Sequence, residues 1–170
     1  MRKNMSRTWN SVEEGIGVSL FLSLILVCSL LVIGLKHYQL VVSTILSLIV
    51  GLIITTAFAV AALSAFNLLS VAFAVLFIGL AVDFGIHYSL RYKEELDSGL
   101  VHREALKLAV THIATPLTLT AFCACISFYS FLPTDYNGLA ELGLIAGTGM
   151  LIALLTTITL LPALFTILPR

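Results

Sequence analysis

An aspartate in the middle of an apolar run is the first residue of this chain whose type and place could do chemistry. Asp83 lies within VLFIGLAVDFGIHYSL, away from both ends of the run. A carboxylate at the centre of a bilayer costs about 2.5–3.5 kcal/mol on insertion scales, so such a group is kept where it faces a bundle interior or a wet path. Out of water the charged form of a carboxyl is disfavoured, and a nearby cation restores it. A carboxyl in that setting can load and release a proton, and one charge moved through 100 mV supplies about 2.3 kcal/mol. The chemistry expected of Asp83 is therefore proton or ion coupling, with a structural hydrogen bond between helices as the plainer alternative. His87 stands four residues on, hence on the same helical face, and imidazole titrates near neutrality. It can pass protons between Asp83 and water, or simply sit solvated among headgroups. Two ligands are too few for a metal, and no other carboxylate lies in a span, so no metal or other cofactor is expected.

Small and hydroxylated residues surround this pair. Gly79 and Gly85 flank Asp83 by four and two positions and allow a neighbouring backbone to come close; Gly51 offers the same in an earlier run. Thr111, Thr115 and Thr118 recur at spacings of four and three with Cys125 on the same face, and their hydroxyls are candidate partners for Asp83. Pro116 cannot donate to the carbonyl of His112 and stands near an expected helix start. Gly143 and Gly147 form a GxxxG, most simply a packing feature. His102 and His112 are expected as surface or interfacial residues. Cys28, Cys123 and Cys125 sit in apolar runs and read as buried hydrophobes rather than a disulfide framework. Paired catalytic carboxylates, a metal cluster and a nucleophile elbow are all lacking, so the chain is not read as an enzyme.

The elements that must hold these groups are membrane spans. Of 170 residues 59% are hydrophobic and 11% charged, with a mean hydropathy of +1.09. That excludes an ordinary water-soluble domain and disorder, and nine Lys and Arg against nine Asp and Glu give no nucleic-acid footprint. A spanning helix needs about 20 apolar residues. Five such runs follow one another, at about residues 17–35, 40–61, 68–88, 113–132 and 142–161. Fusing the second and third would give an apolar helix of about 75 Å against a hydrocarbon core of about 30 Å, so a break near Asn67 is expected. Lys36, Arg91, Lys93, Arg103, Lys107 and Arg170 fall on one side of the membrane, against Arg2, Lys3 and Arg7 on the other. The richer side is expected to be cytoplasmic, so the chain enters from outside and ends inside. Residues 91–112 are expected as an amphipathic cytoplasmic connector. Its short helix would be capped by Asp97 or Ser98, with Leu100, Ala105 and Leu108 on an apolar face and Arg103 and Lys107 on the polar one. A coupling element between spans three and four is the functional alternative for it.

The segments GLAVDFGIHYSLRYKEEL, EALKLAV, THIATPLTLTAFCACISF and GLAELGLIAGTGMLIALLTTITLLPAL, in that order, resemble one half of a transporter of the resistance–nodulation–division superfamily. Within it the likeness is to the MMPL-like exporters, particularly the hopanoid-associated ones, and it runs from about Gly17 to Leu168. The resemblance implies an all-α polytopic bundle, with five transmembrane helices forming spans two to six of one repeat in a twelve-span transporter built of two parallel repeats. Residues 1–16 would then end a periplasmic region, and 17–168 would be a partial transmembrane domain in a bacterial inner membrane. By the same resemblance Asp83 corresponds to the fourth-span aspartate that relays protons with its counterpart in the other repeat, and Gly79 and Gly85 to the glycines around it. Relatives of the mycobacterial lipid exporters often carry Asp-Tyr here; Asp83-Phe84 lacks that phenol, which turns attention to His87. The implied partners are protons, membrane lipids, a hydrophobic lipid substrate such as a hopanoid, and the missing repeat and periplasmic domain, without which the chain is not expected to transport. The sterol-sensing branch of the same architecture provides the alternative, a lipid sensor or scaffold without proton flux.

Overall fold

The computed structural model describes residues 18, 21–22, 25–35, 37–62 and 68–168, with the side chains of 68–75 outside that description. Its elements are helices: α1 (Ile25–Leu35), α2 (Tyr38–Ala62), α3 (Leu68–Asp97), α4 (His102–Tyr129) and α5 (Asn137–Ile167). The described residues form the all-α bundle that the resemblance implies. Among the described residues α2, α4 and α5 are long and apolar enough to cross a membrane. The expected first span is described continuously only from Ile25, and the break at Asn67 and the turn residue Lys36 fall outside the described residues.

α2 and α3 are two antiparallel helices. The Thr44 and Ser89 hydroxyls meet at 3.1 Å near one end of the pair, and Gly51 lies against the Phe77 ring further along. One continuous helix could not place residues 44 and 89 together. α5 sits at the centre, packing against α2, α3 and α4. Its buried stripe follows the helical period through Gly143, Gly147, Met150, Leu154, Thr157, Leu161 and Phe165.

Polarity is distributed inside out relative to a soluble bundle. Ser43, Thr44, Ser47 and Thr55 of α2 are buried, while Ile49, Val50, Ile53 and Ile54 of the same helix are exposed. Thr44 and Thr55 donate to carbonyls one turn back, of Leu40 and Gly51, at 2.8 Å each. Ser47 donates to the Thr156 carbonyl of α5 at 3.5 Å. This is the arrangement lipid favours: tails solvate the apolar face, and small polar residues allow close helix contact. The cysteines correct one expectation, because only Cys125 is buried; Cys28 is half-buried and Cys123 exposed.

The connector differs from its expected form. Residues 91–97 continue α3, and residues from His102 already belong to α4. Arg91 and Glu95, four apart, extend the helix with an ion pair instead of ending it at the membrane edge. Asp97 and Ser98 do not cap a new helix. They close α3, where Gly99 adopts φ +92° and donates its N–H to the Leu96 carbonyl at 3.0 Å. The α4 N-cap is Val101, without a side-chain hydrogen bond. At this end α4 buries Ala105, Leu106 and Ala109, whereas Leu108 is exposed. Because α4 starts at His102, Pro116 falls in mid-helix rather than near a start. It still removes the donor for the His112 carbonyl.

Candidate functional site

α3 buries one face and leaves the other open. Phe77, Ile78, Ala81, Val82, Phe84, Tyr88 and Ser89 are buried against the bundle. Gly79, Asp83 and His87, each four residues apart, are exposed on the opposite stripe, which Leu76 and Leu90 extend. Asp83 makes no hydrogen bond or ion pair with another described residue, so its carboxyl is offered outward from this segment. Phe84 turns into the core.

The two glycines beside Asp83 have different surroundings. A Cβ on Gly85 would lie 2.5 Å from the Thr44 Cγ2, so Gly85 lets α2 and α3 close together. A Cβ on Gly79 would meet nothing within 4 Å. Gly79 leaves the open face flat beside the aspartate and packs against nothing among the described residues.

The α4 threonines are not brought into hydrogen-bond contact with Asp83. Thr115 is exposed and Thr118 half-buried, and both line an open groove of about 500 Å³ with Ala114, Leu119 and Phe122. Thr111 donates to the Lys107 carbonyl at 2.9 Å, and Thr120 to that of Pro116 at 2.9 Å. Gly143 and Gly147 face the end of α4. A Cβ on the first would lie 2.5 Å from the Phe128 carbonyl oxygen, and one on the second would run into the Tyr129 ring. The Tyr129 and Thr148 hydroxyls pair at 3.0 Å across that contact.

A polar cluster at the turn between α3 and α4 escaped sequence reasoning. Glu95 is only 7% exposed, yet it is charge-paired. Its Oε1 accepts from Arg91 Nη2 at 2.9 Å and lies 3.1 Å from His112 Nδ1 of α4. The same Nδ1 lies 2.7 Å from Arg91 Nη2, while Arg91 Nη1 reaches Glu94 at 3.0 Å. Beside it the Tyr92 hydroxyl meets His102 Nδ1 at 2.6 Å, and Tyr92 stacks on Phe165 of α5. His112 is exposed and His102 half-buried, in keeping with surface or interfacial residues, and each is in addition a partner across the two helices. The signal lay in the sequence as Arg91 and Glu95 one turn apart, but nothing in it pointed to His112 as the third member. The surface range for ion pairs is about 0–1 kcal/mol. Burial of Glu95 adds a desolvation cost that its two partners offset, so the contact matters mainly because removing Arg91 would leave a buried carboxylate unpaired. Among the described residues no group of three His, Cys, Asp or Glu is placed to hold a metal ion.

Comparison with known proteins agrees with this architecture. The family model described as MMPL family matches residues 6–170. The hopanoid transporter HpnN of Burkholderia multivorans is 44% identical over 158 residues, 92% of this chain and 18% of that protein. HpnN of Rhodopseudomonas palustris is 43% identical over 158 residues, 93% of this chain and 18% of that protein. A putative membrane protein of Methanocaldococcus jannaschii is 32% identical over 92 residues, 54% of this chain and 24% of that protein. The chain therefore spans less than a fifth of the length of the two hopanoid transporters it matches.

Proposed function

The chain belongs to the MMPL family, and on that premise we propose that it is a membrane segment of a proton-driven transporter that exports hopanoid or another hydrophobic lipid from a bacterial inner membrane. The observation that carries this is the placement of Asp83. It sits unpartnered among the described residues on the open face of a helix, with His87 one turn along the same stripe and Gly79 one turn back.

In this mechanism the open face of α3 packs against the other repeat of the parent protein, and the flat surface at Gly79 lets that partner approach Asp83. Protonation removes a charge whose burial at the repeat interface is costly, and it changes which packing of the two repeats is stable. Loss of the proton through His87 to the water beyond restores the charged form. One proton moved down the gradient thereby drives one cycle of repacking. No step calls for covalent chemistry or a cofactor, so the protein acts as a carrier rather than an enzyme.

The test is transport of a hopanoid by the full-length transporter in proteoliposomes under an imposed pH gradient. Asp83→Asn should abolish gradient-driven flux with normal protein level and fold, and His87→Gln should slow it. Undiminished coupled flux in Asp83→Asn would overturn the proposal. So would hopanoid binding without any flux in the unaltered protein, the behaviour of a sensor.

A further inference from the structure

Asp83, His87, Arg91 and Glu95 follow one another at four-residue steps along α3. Each step drifts about 40° around the axis, so the line winds from the open face at Asp83 to the α4 contact at Glu95. The twelve residues between its ends rise about 18 Å, slightly more than half of a 30 Å hydrocarbon core. A carboxyl at mid-depth therefore has Glu95 and His112 at the edge of the membrane, where His112 is 45% exposed.

The His112 ring has two incompatible uses for a single nitrogen. Without a proton, Nδ1 accepts from Arg91 Nη2 at 2.7 Å; with one, it donates to Glu95 Oε1 at 3.1 Å. The charged and titratable groups around it are Arg91, Glu94 and Glu95 from α3, with Lys107 a turn away on its own helix. α5 brings none to this end, since its only ionisable side chain, Glu141, lies near its start. The His112 carbonyl has also lost its helical donor to Pro116, which eases local bending of α4 at this residue.

We propose that His112 and Glu95 form the proton-exchange site through which Asp83 communicates with water on the side of the membrane carrying the α3–α4 turn. This rests on the proton-coupled function proposed above. In the release direction Asp83 gives up its proton to His87, and water carries it past Arg91, a fixed cation. His112 takes it as an imidazolium paired with Glu95 and yields it to bulk water. Uptake runs the same steps in reverse. Arg91 Nη2, 2.9 Å from Glu95 Oε1, keeps the carboxylate paired when the ring gives up its proton.

The experiment uses the full-length transporter in proteoliposomes, with pH varied only on the side of the turn and the opposite side held constant. Positioned proton-transfer groups contribute about a hundredfold or more. Because water reaches His112 and replaces part of its role, His112→Ala and Glu95→Gln should each slow coupled flux by about tenfold. Both should flatten the pH dependence on that side, and added imidazole should restore His112→Ala. His112→Gln, which keeps a hydrogen-bonding side chain without a titrating one, should show the same flattened profile if the alanine variant does not fold. An unchanged profile in the His112 and Glu95 variants, or a slower rate with an unchanged profile and no imidazole rescue, would reduce the cluster to a structural clamp and overturn the assignment. Asp83→Asn is measured alongside. If it is inactive while the His112 variants behave normally, only the exchange site fails; if it is fully active, the coupling function fails first.

Discussion

Gly79 and Gly85 are indistinguishable in sequence, since each stands within one turn of Asp83 in the same apolar run. The fold separates them by what lies opposite. Gly85→Ala forces a methyl against the Thr44 side chain, a short β-branched group already tied to Ser89 and the Leu40 carbonyl. With so little room to give, the substitution should destabilise the segment by about 1–3 kcal/mol, the usual range for overpacking. Thermal unfolding in detergent should show it as a lowered midpoint. Gly79→Ala meets no atom and should leave that midpoint unchanged or raise it, since alanine gains up to about 1 kcal/mol over glycine in a helix. Yet Gly79→Ala should reduce coupled flux in the full-length transporter, because its methyl intrudes on whatever packs beside Asp83. A variant with normal stability and normal flux would show that nothing approaches α3 closely there. The role of Asp83 divides the same way: its type and place in an apolar run were legible, but its outward direction depends on which face the neighbouring helices cover. The same limit hid the Glu95–His112 contact, whose members are seventeen residues apart on different helices.

Helix contacts explain how far element boundaries could be read. The expected runs at 40–61 and 142–161 fall inside α2 and α5 and that at 113–132 overlaps α4, because each helix is long and apolar enough to cross a membrane. The α3–α4 turn was misplaced because Asp97-Ser98-Gly99 carries two competing signals: a polar N-cap for the next helix, or a glycine closing the previous one. The i, i+4 pairing of Arg91 with Glu95 favours continuing α3, and the positive φ of Gly99 then ends it. At the opposite end the GxxxG of α5 does what its spacing indicates, admitting Phe128 and Tyr129 of α4. Gly147→Ala should therefore loosen the α4–α5 contact by about 1–3 kcal/mol, because the Tyr129 ring is held by Thr148 and cannot move freely. Tyr129→Phe deletes only that hydroxyl pair and should cost about 0.6 kcal/mol, the average for hydrogen bonds between membrane helices. Urea or detergent denaturation of the two variants should rank them in that order. A larger effect from Tyr129→Phe would mean that the hydroxyl pair, not close packing, joins these helices.

Among the described residues, α2 and α3 expose outward surfaces of different character. α2 presents a band of Ile49, Ile53 and Ile54, apolar throughout and suited to acyl chains. α3 presents Leu76, Gly79, Asp83 and His87, a face interrupted by a carboxyl that hydrocarbon would penalise by about 2.5–3.5 kcal/mol. Lipid can cover the first without cost, whereas the second requires protein or water. In the matched transporters, more than five times the length of this chain, protein outside the matched region is available to cover such a face. A photoreactive side chain placed at Leu76, which is 50% exposed, should therefore cross-link to protein when the full-length transporter is irradiated in a membrane. The same group at Ile53, 61% exposed on α2, should label lipid. Both positions are open and apolar in this segment, so depth and reactivity alone would label them alike. Lipid labelling at both would mean that Asp83 faces acyl chains, and the energetic reason for giving it a coupling role would be gone.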